Sequence, residues 1–328
     1  MPAVQKLLVL YTGGTIGMQA SASGLAPASG FEARLRAQQT EQREQVPTWV
    51  FRELLPPIDS ANMSQANWLA MVAAIRQGIQ DGCDGVLVLH GTDTLAYSAA
   101  ALSFLLLGLP APVVLTGSML PASAENSDAW PNLFGAMQAL HDGVAAGVHL
   151  YFNGALMHGA RVSKLSSDAF DAFQVVPRLR QGERLAELPA HIDFRQSRQA
   201  VNLLAVPLVP GLRASHLRAL LDSGVQGLVL ECYGSGTGPS DNAELLDVLR
   251  EAHERGVVLA AISQCARGHV EFGVYAAGSQ LASVGLISAG GMTREAALGK
   301  LFALLGAGLA QDEVERLFSL DLCGERVE

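Results

Sequence analysis

The chain alternates between short runs in which almost every residue is apolar and longer stretches in which apolar residues recur every three or four positions. Runs of the first kind read as strands covered on both faces, and stretches of the second kind as amphipathic helices. Strands are predicted over 6–12, 85–90, 112–116 and 148–153, with helices over 65–80, 94–107 and 131–145. Ser64 and Thr94 stand where helix N-caps belong, and Pro131 suits a first helical turn. Such alternation predicts an α/β fold with a mainly parallel, doubly wound sheet.

The pattern breaks between Pro177 and Asn202, a stretch rich in Arg, Gln and Glu with no sustained apolar period. It then resumes, with strands near 202–208, 227–232 and 257–263 and helices near 214–223, 241–255 and 293–309. The prediction is a larger N-terminal α/β domain over 1–184, a linker over 185–204 and a smaller α/β domain over 205–328. Residues 17–31 are mostly small and follow directly on a Gly-Thr turn, so a mobile loop is expected there, a candidate lid.

Composition narrows the function. A net charge of −9 and no basic run speak against a nucleic-acid surface, which needs clustered Lys and Arg. The most membrane-like stretch, Ala99 to Leu115, is interrupted by Gly108, Pro110 and Pro112 and reads as helix, turn and strand. The first apolar run begins at Leu7, leaving no room for a separate cleaved leader, so no membrane or export role is expected. Cys83, Cys232, Cys265 and Cys323 lack metal-ligand spacing, which fits reduced thiols in a cytoplasmic protein without a bound metal.

Two of the apolar runs end alike. Leu7–Leu10 leads into Tyr11-Thr12-Gly13-Gly14-Thr15, and Val86–Leu89 into His90-Gly91-Thr92-Asp93-Thr94. If these runs are neighbouring parallel strands, both hydroxyls lie at the strand ends where open α/β sheets hold ligands. Each turn alone has the ordinary composition of a turn; the pair is more specific. The first lacks the third glycine of a dinucleotide fingerprint and the Gly-Lys of a phosphate loop, which argues against a nucleotide-dependent oxidoreductase. Asp93 is costly to bury unpaired, and a strand end suits it to a ligand ammonium.

Arg161 and Lys164 sit among small and apolar residues. Most such lysines are merely solvated. One beside buried hydroxyls can become a base by desolvation, an effect that a neighbouring Asp93 opposes, and the pattern leaves the outcome open. Asp59-Ser60-Ala61-Asn62 reads either as a helix-capping turn or as a carboxylate grip using the Ser60 hydroxyl and nearby amides.

Taken in order, Tyr11–Gly17, Asp59–Met63, His90–Thr94 and Arg161–Lys164 resemble the bacterial L-asparaginase family, especially its cytoplasmic type I branch. The likeness continues through Thr116-Gly117-Ser118, Asn126-Ser127-Asp128, Tyr233–Gly236 and Asp321–Glu325. It implies a two-domain asparaginase-like fold and hydrolysis of the asparagine side-chain amide to aspartate and ammonia, with no cofactor and no metal. By position, Thr15 falls on the primary nucleophile, Thr92 on the second threonine and Lys164 on the lysine bonded to it. Asp93 falls on the aspartate that binds the substrate ammonium and Ser60 on the residue holding its carboxylate, with Gly91 and Ser118 completing the pocket. A homo-oligomer is implied, a dimer or a dimer of dimers, each site shared between the large domain of one subunit and the small domain of another.

Some positions depart from the family pattern. The loop tyrosine that bonds the nucleophile is matched by Leu25, and the position of its C-terminal substitute by Ala303. Thr237 replaces an asparagine that reaches a neighbouring site, and Ala61 replaces a polar residue. Glu231 stands where allosteric type I enzymes use an arginine for effector asparagine, although Gln264-Cys265 is retained. Beside asparagine hydrolysis with lesser glutaminase activity, two other readings stay open: hydrolysis of a related carboxamide, and an amino-acid-binding sensor whose hydrolysis is weak or lost.

Overall fold

The computed structural model describes residues 3–21, 24–42, 46–177, 185 and 187–326. The chain divides into two compact units, Met1–Val175 and Val176–Glu328.

The first unit carries a six-stranded sheet. Its elements are β1 (Lys6–Gly13), β2 (Gln19–Ser21), β3 (Gly24–Ala26), α1 (Phe31–Gln42), β4 (Thr48–Ile58), α2 (Gln65–Gln80) and β5 (Gly85–Leu89). They are followed by α3 (Leu95–Leu105), β6 (Pro112–Thr116), α4 (Ala129–Asp142), β7 (Gly147–Phe152), β8 (Ala155–His158), β9 (Val162–Lys164) and β10 (Phe173–Val175). The sheet order is β4-β1-β5-β6-β7-β8, parallel except for the antiparallel β7–β8 hairpin at one edge. Every strand predicted in this half is present within a residue or two, and α2 spans the predicted 65–80.

Helices cover both faces. Leu7, Val9 and Tyr11 of β1 pack with Phe31 and Leu35 of α1 and with Leu133 and Met137 of α4. On the other face, Gly78 lets α2 approach so closely that a Cβ there would lie 2.5 Å from Leu8 Cδ2. Burial on both faces is why β1, β5 and β6 read as continuous apolar runs.

Several elements of this unit escape the apolar pattern. β4 carries Pro56 and Pro57, tolerable because β4 is an edge strand. Among its described side chains α1 buries only Phe31 and Leu35, one turn apart. The loop expected over 17–31 contains an antiparallel hairpin, with Ala20 opposite Leu25; residues 22–23 of that loop lie outside the described residues. Backbone pairing and a Ser21 hydroxyl bond to the Gly24 carbonyl hold it, and neither leaves an apolar signature.

The second unit is a parallel four-stranded sheet, β11 (Leu203–Pro207), β12 (Gly227–Cys232), β13 (Val258–Ser263) and β14 (Leu286–Ser288), in that order. Around it pack α5 (Ala214–Leu221), α6 (Ala243–Glu254), α7 (Ala276–Ser283), α8 (Arg294–Leu305) and α9 (Gln311–Phe318). The expected end of the first domain at 184 lies outside the described residues, as do 178–183 and, within the expected linker, 186. Among the described residues no helix is long and apolar enough to cross a membrane.

Candidate active site

Counting only the parallel strands of the first sheet in chain order, their spatial order is 2-1-3-4-5. The chain leaves β1 for β4 on one side and then crosses to β5 on the other. The crevice at the carboxyl ends of β1 and β5 is therefore the topological switch point, the place where such sheets hold ligands. Three adjacent strands deliver candidate residues there: β4 leads to Ser60, β1 to Thr15, and β5 to Gly91, Thr92 and Asp93.

Glycine sets how closely these ends approach. Gly13 and Gly14 turn the chain at φ of 116° and 83°, and the Gly14 amide donates to the Ile58 carbonyl at the end of β4, 3.0 Å away. A Cβ on Gly14 would lie 2.2 Å from the Gly91 nitrogen, and one on Gly91 would lie 2.5 Å from Ser60 Oγ. The backbones of the two threonine turns are thus in direct contact, with Ser60 against the second. Gly117, after β6, likewise admits the His90 carbonyl oxygen.

Lys164 reaches the site from β9, which pairs with β10 through Lys164 and Phe173. Phe173 packs edge-on against Phe152 of β7, anchoring that ribbon. The Lys164 ammonium donates to Thr92 Oγ1 at 3.0 Å and to Asp93 Oδ1 at 2.8 Å. Thr92 is buried, whereas the Asp93 side chain is 63% exposed. One cation therefore ties a buried hydroxyl to an open carboxylate, leaving Asp93 Oδ2 for a ligand. Thr15 is half-buried at the start of a short 3-10 turn, and among the described residues its hydroxyl has no protein partner.

Ser60 is buried at the head of another 3-10 turn, Ser60–Asn62, which the Asp59 carboxylate caps through the Ala61 amide. Ser64 caps α2 separately in a reciprocal box with Asn67. Thr94 occupies the N-cap position of α3, but its side chain does not cap. Its hydroxyl donates to the Ser60 carbonyl at 2.8 Å and joins the β4 and β5 turns instead. Ser118 is fully buried, and its hydroxyl is committed to the Leu120 carbonyl at 2.6 Å. The structure thus brings Thr15, Ser60, Gly91, Thr92, Asp93 and Lys164 to one crevice and turns the Ser118 hydroxyl into its own loop.

Other residues singled out in the sequence have plain settings. Leu25 is 55% exposed on β3. Ala303 is buried on α8, its carbonyl accepting from Arg198. The Thr237 hydroxyl bonds to the Tyr233 carbonyl. Glu231 is buried and gripped by both guanidinium arms of Arg294. Beneath the site lies a group that the pattern did not mark as functional: His90, with Ser98 and Trp68. The only signal was a histidine between an apolar strand and a glycine.

Comparison with known proteins identifies both units of the chain. The family model for the asparaginase N-terminal domain matches residues 6–198, and that for the glutaminase/asparaginase C-terminal domain matches residues 202–318. L-asparaginase 1 of Escherichia coli K12 is 37% identical over 98% of both chains. Among solved structures, the thermostable L-asparaginase from Thermococcus kodakarensis superposes with a TM-score of 0.85 at 33% identity, covering 99% of this chain and 100% of that one. L-asparaginase I from Vibrio cholerae also has a TM-score of 0.85, at 34% identity and the same coverage. Both domains and their order are accounted for, and this chain belongs to the asparaginase family.

Proposed function

We propose that this chain is an L-asparaginase, hydrolysing the side-chain amide of asparagine to aspartate and ammonia. The observation that carries the reading is the backbone contact between the Gly14 and Gly91 turns, with Lys164 bridging Thr92 and Asp93 beside it.

A neutral amide is a poor electrophile, so the site needs a nucleophile, proton transfer and donors for the developing oxyanion. Thr15 Oγ attacks the amide carbon, and the backbone N–H of Thr92 stabilises the oxyanion. The C–N bond breaks as the nitrogen takes a proton, ammonia leaves and an acyl ester remains on Thr15. Water, oriented by Thr92 and Lys164, then attacks the ester, releasing aspartate and restoring the hydroxyl. Asp93 Oδ2 takes the substrate ammonium and Ser60 its carboxylate, so a substrate lacking either group leaves a polar partner unsatisfied. Gly91 admits the substrate close to the backbone, and Ser118 supports the pocket through its turn.

Asparagine as substrate, homo-oligomeric assembly, cytoplasmic location and a linker over 185–204 belong to the same reading. In its support, residues 193–202 form neither helix nor strand. The test is ammonia release from asparagine, glutamine and other carboxamides by the wild type and Thr15→Ala. The reading expects asparagine to be the best substrate and Thr15→Ala to lose turnover while still binding aspartate. Full turnover in Thr15→Ala would remove Thr15 as nucleophile. The exposed Leu25 in place of a lid tyrosine favours a second reading, an amino-acid sensor. That reading expects tight asparagine binding with no ammonia released by the wild type.

A further inference from the structure

The turn that carries Thr92 and Asp93 has its own buried support. His90 is fully buried, with Nδ1 2.7 Å from the Gly91 carbonyl oxygen and Nε2 2.8 Å from Ser98 Oγ. Ser98, also fully buried, accepts in turn from the Trp68 indole N–H at 2.8 Å.

The partners dictate the protons. A carbonyl oxygen can only accept, so Nδ1 carries the hydrogen. In the neutral ring Nε2 is then an acceptor, and the Ser98 hydroxyl donates to it while receiving the indole N–H. Burial keeps the ring neutral by pushing its pKa down to about 4, against the opposing pull of the Gly91 bond. One directed chain therefore runs from Trp68 through Ser98 and His90 to the Gly91 carbonyl.

That carbonyl belongs to the peptide whose N–H is the Thr92 amide. A peptide unit is planar and trans, so its C=O and N–H point to opposite sides. Drawing the Gly91 oxygen toward the buried ring aims the Thr92 N–H away from the core. Gly91 has no side chain to restrict its own dihedrals, so the plane needs an outside hold. Among the described residues the Thr92 amide has no protein acceptor.

We propose that His90, fixed in its Nδ1–H tautomer by the Gly91 carbonyl and held in place by Ser98 and Trp68, is a positioning residue that aims the Thr92 amide at the oxyanion of the reacting amide. This rests on the amidohydrolase reading above.

The experiment combines steady-state kinetics of His90→Asn, His90→Gln and Ser98→Ala with two-bond 1H–15N spectra of histidine-labelled protein. Asparagine places its side-chain amide where Nδ1 stands and can still donate to Gly91; glutamine reaches the Nε2 position instead. Removing an oxyanion donor outright costs about 10²–10³ in kcat, so misaiming one in His90→Gln should cost about 10- to 100-fold. KM should stay within about twofold, because the lost interaction belongs to the transition state. His90→Asn should recover most of kcat. The wild type should show its imidazole hydrogen on Nδ1, and Ser98→Ala, which removes the Nε2 partner but not the Gly91 acceptor, should keep it there while the loosened ring lowers kcat.

The proposal is overturned if the wild-type hydrogen sits on Nε2, if His90→Gln and His90→Asn have equal kcat, or if Ser98→Ala leaves kcat unchanged. Ammonia release by the wild type separates the two claims. No release from asparagine or any other carboxamide defeats the amidohydrolase reading itself, whereas an active wild type beside an unimpaired His90→Gln defeats only the positioning role.

Discussion

Replacing Gly14 by alanine tests the contact on which the site depends. The new Cβ would lie 2.2 Å from the Gly91 nitrogen and 2.4 Å from its Cα, about 1.2 Å short of the 3.4 Å at which ordinary contact begins. Both opposing atoms are backbone, so no side chain can swing aside and the two turns must part. Displacing reacting groups by about 1 Å costs about 100-fold in rate. Stability falls as well, by about 1 kcal/mol for alanine at left-handed φ and about 2 kcal/mol for overpacking. In a unit of this size that total lowers Tm by about 6–12 °C. Gly154→Ala is the matched control: it has φ of 77° and nothing within 4 Å of its would-be Cβ, so it carries the dihedral cost without the clash. Ammonia release is measured well below both melting points. Gly14→Ala is expected to lose about 100-fold in kcat/KM and Gly154→Ala less than about twofold. Gly14→Ala with wild-type kcat/KM would refute the reasoning, since the turns could then not be in contact during catalysis.

Lys164→Met should separate catalysis from stability. Its ion pair with the 63% exposed Asp93 contributes less than about 1 kcal/mol to folding, while losing the ammonium that holds the Thr92 hydroxyl and orients the water should cost about 100-fold in kcat; a kcat within about threefold of wild type sinks that role. Because His90 is depressed to about 4, the folded state binds fewer protons there than the unfolded chain. Its contribution is therefore complete above about pH 6.5 and drains away as the pH falls to about 4, a loss of about 3 kcal/mol. Denaturant titrations across that window should show a slope that His90→Asn lacks, and identical slopes would contradict it.

In the second unit, burial pushes Glu325 up, but the Lys300 charge, hydrogen bonding with Asp321 and Lys300, and the Cys323 amide outweigh it and hold the carboxyl at about 2. The stability it supplies is complete above about pH 4.3 and is lost as pH approaches 2. Glu325→Gln, which strands the fully buried Lys300, should destabilise by about 3–5 kcal/mol and flatten the acid limb. A melting curve matching wild type at pH 7 would count against the pair.

The strands β1, β5, β6 and β12 were legible because burial on both faces demands unbroken apolar runs, and the run is itself the signal. Ser64 was legible as a cap because capping is settled within four residues. Thr94 stands at an equivalent position and does not cap, because a carbonyl from another strand end, that of Ser60, competes for its hydroxyl. β4 was hidden by its prolines, which only an edge position excuses, and edge position is a property of the whole sheet. The β2–β3 hairpin was hidden because backbone pairing and a serine hydroxyl bond hold it, and neither needs an apolar run.

The two-domain α/β organisation and the kinds of residue available at the strand ends, hydroxyls, a carboxylate and a lysine, could be read along the chain. Those follow from local periodicity and residue type, which need no partner to be read. The folded structure set β1 beside β5, stretched Lys164 across Thr92 and Asp93, and committed the Ser118 hydroxyl to its own loop. It alone revealed the buried chain from Trp68 to Gly91. Distances between residues far apart in the chain are set by sheet order and by which glycines admit a neighbour, and no window of sequence contains both.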